Sequence, residues 1–169
     1  MVTVDGGSQN DTLSGIQNTD TKIDGKQGDD VIRGSNGNDL LLGSAGSDVL
    51  FGGAGTDTFS FTKFSGAGDT DYVIDWELGR DLLSFGEGVT IAAAQVTDAG
   101  TAFNGVGLAN DPKVLDLLLT LHVEDGARSY DFEVNLVDGL KNTGWHADQV
   151  EAYLATFGFQ GSIETVPSV

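Results

Sequence analysis

The chain has no cysteine, which excludes a disulfide framework and any thiolate metal site. Basic residues are scarce: 8 Lys and Arg stand against 26 Asp and Glu, a formal charge of −18 at pH 7. A nucleic-acid footprint needs clustered Lys and Arg, so that class of partner is excluded. The balance points instead to cations as partners, or to a strongly solvated surface. No run approaches the roughly 18 apolar residues that span a membrane as a helix. The opening MVTVDGGSQND lacks the basic and apolar regions of a secretory signal, and its immediate entry into repeat sequence leads us to expect a piece of a longer protein. Histidine occurs twice, at His122 and His146, with no HExxH and no ligand partner at metal-binding spacing. Ser129, His122 and Asp131 are neighbours in sequence, but proximity does not make a triad, so we expect structural histidines and no enzyme. An acidic, glycine-rich chain invites a reading of disorder. The 39% apolar content argues against that for the whole length.

What is present in quantity is a nine-residue phrase. GSNGNDLLLGSAGSDVLFGGAGTDTFS, residues 34–60, repeats Gly at the first and fourth positions, Asp at the sixth and an apolar residue at the eighth. Extended both ways it gives six units, starting at Gly6, Gly15, Gly25, Gly34, Gly43 and Gly52. The sixth positions read Asp11, Asp20, Asp30, Asp39, Asp48 and Asp57. The eighth read Leu13, Ile32, Leu41, Leu50 and Phe59; the second unit carries one extra residue, so Ile23 serves there. Glycine permits sharp turns that leave carbonyl oxygens pointing inward. A carboxylate beside such carbonyls makes an all-oxygen cage of the kind calcium prefers. The residues after each Asp have room only for a short strand, and its eighth-position side chain faces away from its neighbours. Stacked along a spiral, these side chains form a narrow core, which a flexible Gly/Asp linker would have no reason to specify. An EF-hand anchored on Asp20 fails, because Val31 falls where a bidentate Glu is required.

These units resemble the RTX nonapeptide, GGxGxDxUx, of bacterial proteins exported by type I secretion. The resemblance implies a mainly β chain: a calcium-binding parallel β-roll with two units per coil, closed by a C-terminal cap of further strands and one helix. It implies several Ca2+ ions between turns stacked on the same side, so that Asp30 with Asp48, and Asp39 with Asp57, share an ion. The implied ligand set is the six sixth-position acids with the turn glycines Gly28, Gly37, Gly46 and Gly55. The first unit departs from the family with Gln9 in the fourth position, and the second with Ile16, Asn18 and its insertion. The likeness continues into FSFTKFSGAGDTDYVIDWELGRDLLSF, similar to the family's D-x-I-x-D-F-x-x-G-x-D-x-I segment after the last repeat. There Asp71, Asp75 and Asp81 either complete the last ion sites or are solvated turn residues. Phe59, Phe61, Phe64, Trp76 and Phe85 supply bulk to cover the open end of a solenoid.

After residue 85 the period vanishes. Runs at 117–123 and 129–137 flank Glu124-Asp125-Gly126-Ala127 and predict a hairpin, with Tyr130, Phe132, Val134 and Leu136 sharing one face. VTIAAAQV predicts a further strand. WHADQVEAYLATFGF predicts a helix with Val150, Tyr153, Leu154 and Phe157 on one stripe, packed on the sheet and stopped at Gly158. We therefore expect a roll over 1–60, a capping segment over 61–85 and a smaller β-rich domain over 86–169. The expected function is calcium binding coupled to folding of a secreted or cell-surface protein, with calcium and the type I secretion machinery as partners. Two rivals stay open: the ligand-binding end of an adhesin facing an extracellular ligand or surface, and the accessory module of a secreted enzyme such as a polysaccharide epimerase or protease.

Overall fold

A turn every nine residues leaves strands only a few residues long. In the computed structural model, which describes residues 1–98, 115–126, 128–137, 147–160 and 164–165, the chain alternates such strands between two sheets. The first are β1 (Val2–Asp5), β2 (Thr12–Ser14), β3 (Thr21–Gln27), β4 (Val31–Ser35) and β5 (Leu40–Ala45). They continue as β6 (Val49–Gly53), β7 (Thr58–Phe61), β8 (Thr70–Val73) and β9 (Leu82–Phe85). Odd strands stack in parallel as β1-β3-β5-β7-β9, and even strands as β2-β4-β6-β8. Two units therefore make one coil of a parallel β-roll.

Eighth-position side chains register on one another between the sheets. Leu13, Ile32, Leu50 and Val73 line up on one side. Val4, Ile23, Leu41, Phe59 and Leu83 line up on the other. All are buried except Val4 and Leu13, half-buried at the open N-terminal end. Burial of one such side chain contributes about 1.5–3 kcal/mol, spread here over nine ordered residues. The roll needs a second source of stability.

The segment expected to cap the roll continues it. Val73 pairs with Leu50 and Leu83 with Phe59. GAGDTDYVI at 66–74 and WELGRDLLS at 76–84 are thus a seventh and an eighth unit, which keep Gly66 and Gly79 but carry Asp69 and Trp76 in place of the other two glycines. Phe59, Phe61 and Trp76 are buried and Phe85 packs partly against the core. Phe64, expected among them, is 64% exposed, because it lies in the loop joining β7 to the seventh unit rather than on a strand.

The predicted hairpin forms as β11 (Leu115–Glu124) and β12 (Ser129–Leu136), preceded by β10 (Val89–Asp98) and joined at its edge by the two-residue β13 (Glu164–Thr165). β12 also pairs in parallel with β8, so one sheet runs unbroken as β13-β10-β11-β12-β8-β6-β4-β2. Phe132, Val134 and Leu136 are buried with Leu117, Leu119, Leu121 and Val123. Tyr130 is half-buried, its hydroxyl 2.6 Å from the Lys63 carbonyl and 2.7 Å from that of Ser65.

The helix, α1 (Ala147–Ala155), buries Val150 and Leu154, and Gly158 at φ +86 follows its end. Its aromatic residues close the roll: Tyr153 lies 5.8 Å from the Trp76 ring, Phe157 lies 5.0 Å from Phe85, and the Leu83 amide donates to the Tyr153 hydroxyl at 3.1 Å. The helix thereby covers β9, which has no further neighbour in its sheet among the described residues. Trp145 and His146 lie outside the described residues.

Candidate metal centre

Because each turn repeats, the sixth-position side chains form two rows. In the first, the Asp11 amide donates to Asp30 Oδ1 at 2.7 Å, the Asp30 amide to Asp48 Oδ1 at 2.8 Å, and the Asp48 amide to Asp71 Oδ1 at 3.0 Å. In the second, Thr21 donates to Asp39 at 2.7 Å, Asp39 to Asp57 at 2.9 Å, and Asp57 to Asp81 at 3.2 Å. One oxygen of each carboxylate holds adjacent coils together. The structure thus brings together Asp30 with Asp48 and Asp39 with Asp57, and extends the rows to Asp71 and Asp81. All six are buried.

Two expected members stand elsewhere. The register Lys22↔Leu40 and Ile23↔Leu41 places Thr21, not Asp20, opposite Asp39. Asp20 Oδ1 instead accepts from the Asn38 amide at 2.8 Å, as the fifth residues Asn10, Asp29 and Asn38 do from Asp29, Ser47 and Thr56. The extra residue of the second unit precedes Asp20 and displaces it by one place. Asp75 also leaves the row: its oxygens accept from the Gly52 and Gly53 amides at 2.7 and 2.9 Å. A carboxylate that sequence reasoning passed over, Asp69, accepts from Gly46 and Gly66 at 2.9 and 2.7 Å. It takes the fourth position of the seventh unit, and only the spacing to Asp71 marks it.

The fourth-position glycines stack two units apart. Gly28, Gly46 and Gly55 have φ of 112, 122 and 129, a region that side chains rarely adopt. A Cβ on Gly46 would strike the Gly28 carbonyl and one on Gly55 the Gly37 carbonyl, while one on Gly37 would come within 2.7 Å of the Thr19 carbonyl oxygen. First-position glycines leave space for the carboxylate of their own unit: a Cβ on Gly52 would lie 2.5 Å from Asp57 Oδ2.

The second carboxylate oxygens divide the turns into two kinds. In the first, fourth and eighth units, the residue four places back donates to Oδ2: Gly7 to Asp11 and Ser35 to Asp39 at 2.7 Å, Glu77 to Asp81 at 2.9 Å. In the third, fifth and sixth units the corresponding residues, Lys26, Ser44 and Gly53, adopt φ of 78, 79 and 97. There the Oδ2 atoms of Asp30, Asp48 and Asp57 are buried with no hydrogen-bond partner. A left-handed conformation costs a non-glycine residue about 1–2 kcal/mol, and a buried polar atom without a partner costs about 1–3 kcal/mol more. Both costs fall on the turns of Lys26 and Ser44, while Gly53 spares the sixth unit the first of them.

Electrostatics repeat the message. Burial, reinforced by neighbouring carboxylates, pushes Asp48 up to about 7 and Asp57 to about 6, and raises Asp30, Asp71 and Asp75. Among the described residues no Lys or Arg pairs with Asp30, Asp39, Asp48, Asp57 or Asp71. Nor do three His, Asp or Glu side chains converge on one point among the described residues, so a metal cage here must draw on backbone carbonyls. They are at hand: a Cβ on Gly25 would meet Asp30 Oδ2 and also lie 2.9 Å from the Gly43 oxygen. At Gly6, Gly25 and Gly34 a carboxylate and a carbonyl oxygen share one small space, and an orphaned anionic oxygen beside a carbonyl, as at Asp30, fits a hard cation such as calcium.

The hairpin brings Ser129, His122 and Asp131 together on its surface. Asp131 Oδ1 is 2.6 Å from His122 Nδ1, and Ser129 Oγ is 3.4 Å from Nε2. Glu124 Oε1 lies at the same 3.4 Å from Nε2, and Ser129, Asp131 and Glu124 are exposed. His122 thus meets Asp131 across the hairpin and Glu124 along its own strand, and both carboxylates raise its pKa.

Residues 3–21 and 24–59 match the RTX calcium-binding nonapeptide repeat, in four copies. Among solved structures, the chain is similar to the AlgE6R3 subunit from the Azotobacter vinelandii mannuronan C5-epimerase, with 20% identity and a TM-score of 0.42 over 97% of this chain and 94% of that one. No curated protein matches the chain.

Proposed function

Since the chain belongs, through its repeats, to the RTX calcium-binding nonapeptide family, we propose that it is a non-enzymatic module whose folding is driven by extracellular calcium. The carrying observation is the set of buried, unpartnered Oδ2 atoms of Asp30, Asp48 and Asp57. These three residues are the principal ligands, with Asp11, Asp39 and Asp71 completing the rows and carbonyls of the glycine turns filling the cages. Bound calcium supplies the positive charge that lets these carboxylates stay ionised while buried, so that metal-binding free energy becomes folding free energy. Asp Oδ1 atoms tie successive coils, the first and fourth glycines make room for the oxygens, and eighth-position side chains exclude water from the core.

In this reading the segments 1–60, 61–85 and 86–169 act as roll, capping coil and closing β-rich domain of a larger secreted or cell-surface protein. The repeats stay unfolded where calcium is scarce, and they fold once the chain has passed through a type I secretion system to the outside. Calorimetric titration tests the binding step: calcium should bind to several sites and magnesium should compete poorly, because it demands a tighter octahedron and releases water reluctantly. A flat calcium titration would refute the proposal.

A further inference from the structure

The two carboxylate rows end differently. The first ends at Asp71 with no basic residue upon it among the described residues, whereas the second ends at Asp81 beneath Arg80. Arg80 Nε lies 3.2 Å from Asp81 Oδ1, and Nη2 lies 3.2 Å from Asp81 Oδ2 and 3.5 Å from the Gly53 carbonyl oxygen. Gly53 belongs to the turn of the sixth unit, and Asp81 is the row member two units further on. The guanidinium therefore bridges a turn carbonyl and a carboxylate of the next coil, the same two kinds of oxygen that other turns offer to a cation. Nη1 is further held by Glu77 Oε2 at 3.0 Å. Asp75 closes the same corner through the Gly52 and Gly53 amides. Asp81 is 1% exposed, so its charge needs a partner, and Arg80 carries one that does not titrate near neutrality.

We propose that Arg80 is a tethered cation standing in for the last metal ion of the second row, so that the turn between Gly53 and Asp81 closes without calcium. Beyond it, α1 already holds β9 through Tyr153 and Leu83. The last coil is then ordered before calcium arrives and serves as the template on which the preceding coils assemble. This inference rests on the calcium reading above.

Native mass spectrometry at saturating calcium counts the ions. Arg80→Gln should bind one more calcium than the wild type, whereas Asp81→Asn should bind the same number and Asp48→Asn at least one fewer. Hydrogen exchange in excess chelator supplies a second readout: residues 81–85 should be protected in the wild type and lose that protection in Arg80→Gln. An unchanged ion count in Arg80→Gln, or an ion lost in Asp81→Asn, overturns the proposal while leaving the calcium reading standing. If Arg80→Gln does not fold, the Asp81→Asn count decides. A wild type that binds no calcium overturns both.

Discussion

The roll and the hairpin with its helix contain much the same secondary structure, yet their sources of stability differ. In β11 and β12 every second residue enters a shared core, from Leu117 to Val123 and from Phe132 to Leu136, and α1 adds Val150 and Leu154. In the roll one side chain per unit does so, while each unit from the third onward also buries its sixth-position carboxylate and the second buries Thr21. The closing region can stand on apolar packing. Among the described residues, the roll buries its sixth-position carboxylates with no basic partner apart from Arg80 on Asp81. A chain can thus place, side by side in one continuous sheet, a region that folds by itself and a region that waits for an ion.

Chelation should separate the two most strongly. In excess EGTA, hydrogen exchange should show residues 6–50 unprotected, while 117–123 and 129–136 keep their protection. Equal protection of the repeats with and without calcium would erase the distinction. Next in size is the packing of the helix. Leu154→Ala should destabilise the calcium-loaded protein by about 2–5 kcal/mol through a buried cavity, read by thermal melting; a change near zero would make this face a partner surface.

A subtler difference concerns pH in the absence of calcium. Asp48, raised to about 7, and Asp57, raised to about 6, hold protons in the folded roll that the unfolded chain has released above 3.8. Stability from that protonation is full below 3.8 and lost as pH rises through the folded values. The chelated roll should therefore gain protection as pH is lowered from 8 to 5. Asp48→Asn should flatten this gain while weakening calcium binding, and melts across that range with chelator present would check it. The smallest effect belongs to the hairpin surface. Asp131 and Glu124 raise the pKa of half-buried His122, so its contribution is full below 6.5 and is lost as pH rises through the folded value. His122→Gln should lower the melting temperature slightly in acid and hardly at all in alkali.

Much of this architecture is legible in the sequence because it is local and periodic. The nine-residue period gives the turns, the rows and the alternating core, including the shift to Ile23. Hairpin and helix follow from alternation and from the 150, 153, 154, 157 stripe. The place of the extra residue is not legible: counting acids favours Asp20 in the row, and only the backbone register reveals Thr21. Units seven and eight are obscured because Asp69 replaces a glycine and Trp76 opens a unit, leaving only the Asp71–Val73 and Asp81–Leu83 spacings as traces. The parallel joint of β12 to β8 has no local signature at all, since it pairs residues some sixty positions apart. The division into open and closed turns is equally hidden. Lys26 and Ser44 adopt left-handed φ while Ser35 donates its amide to Asp39, and residue type does not tell them apart.

The central claim is that the repeats fold on calcium. Its most direct test is far-UV circular dichroism of the chelated protein as calcium is added. The β signal should rise steeply and cooperatively, with a midpoint in the range of extracellular modules, about 10⁻⁴–10⁻³ M, and magnesium should reproduce little of it. A full β signal already present in excess chelator, unchanged by calcium, would contradict the account.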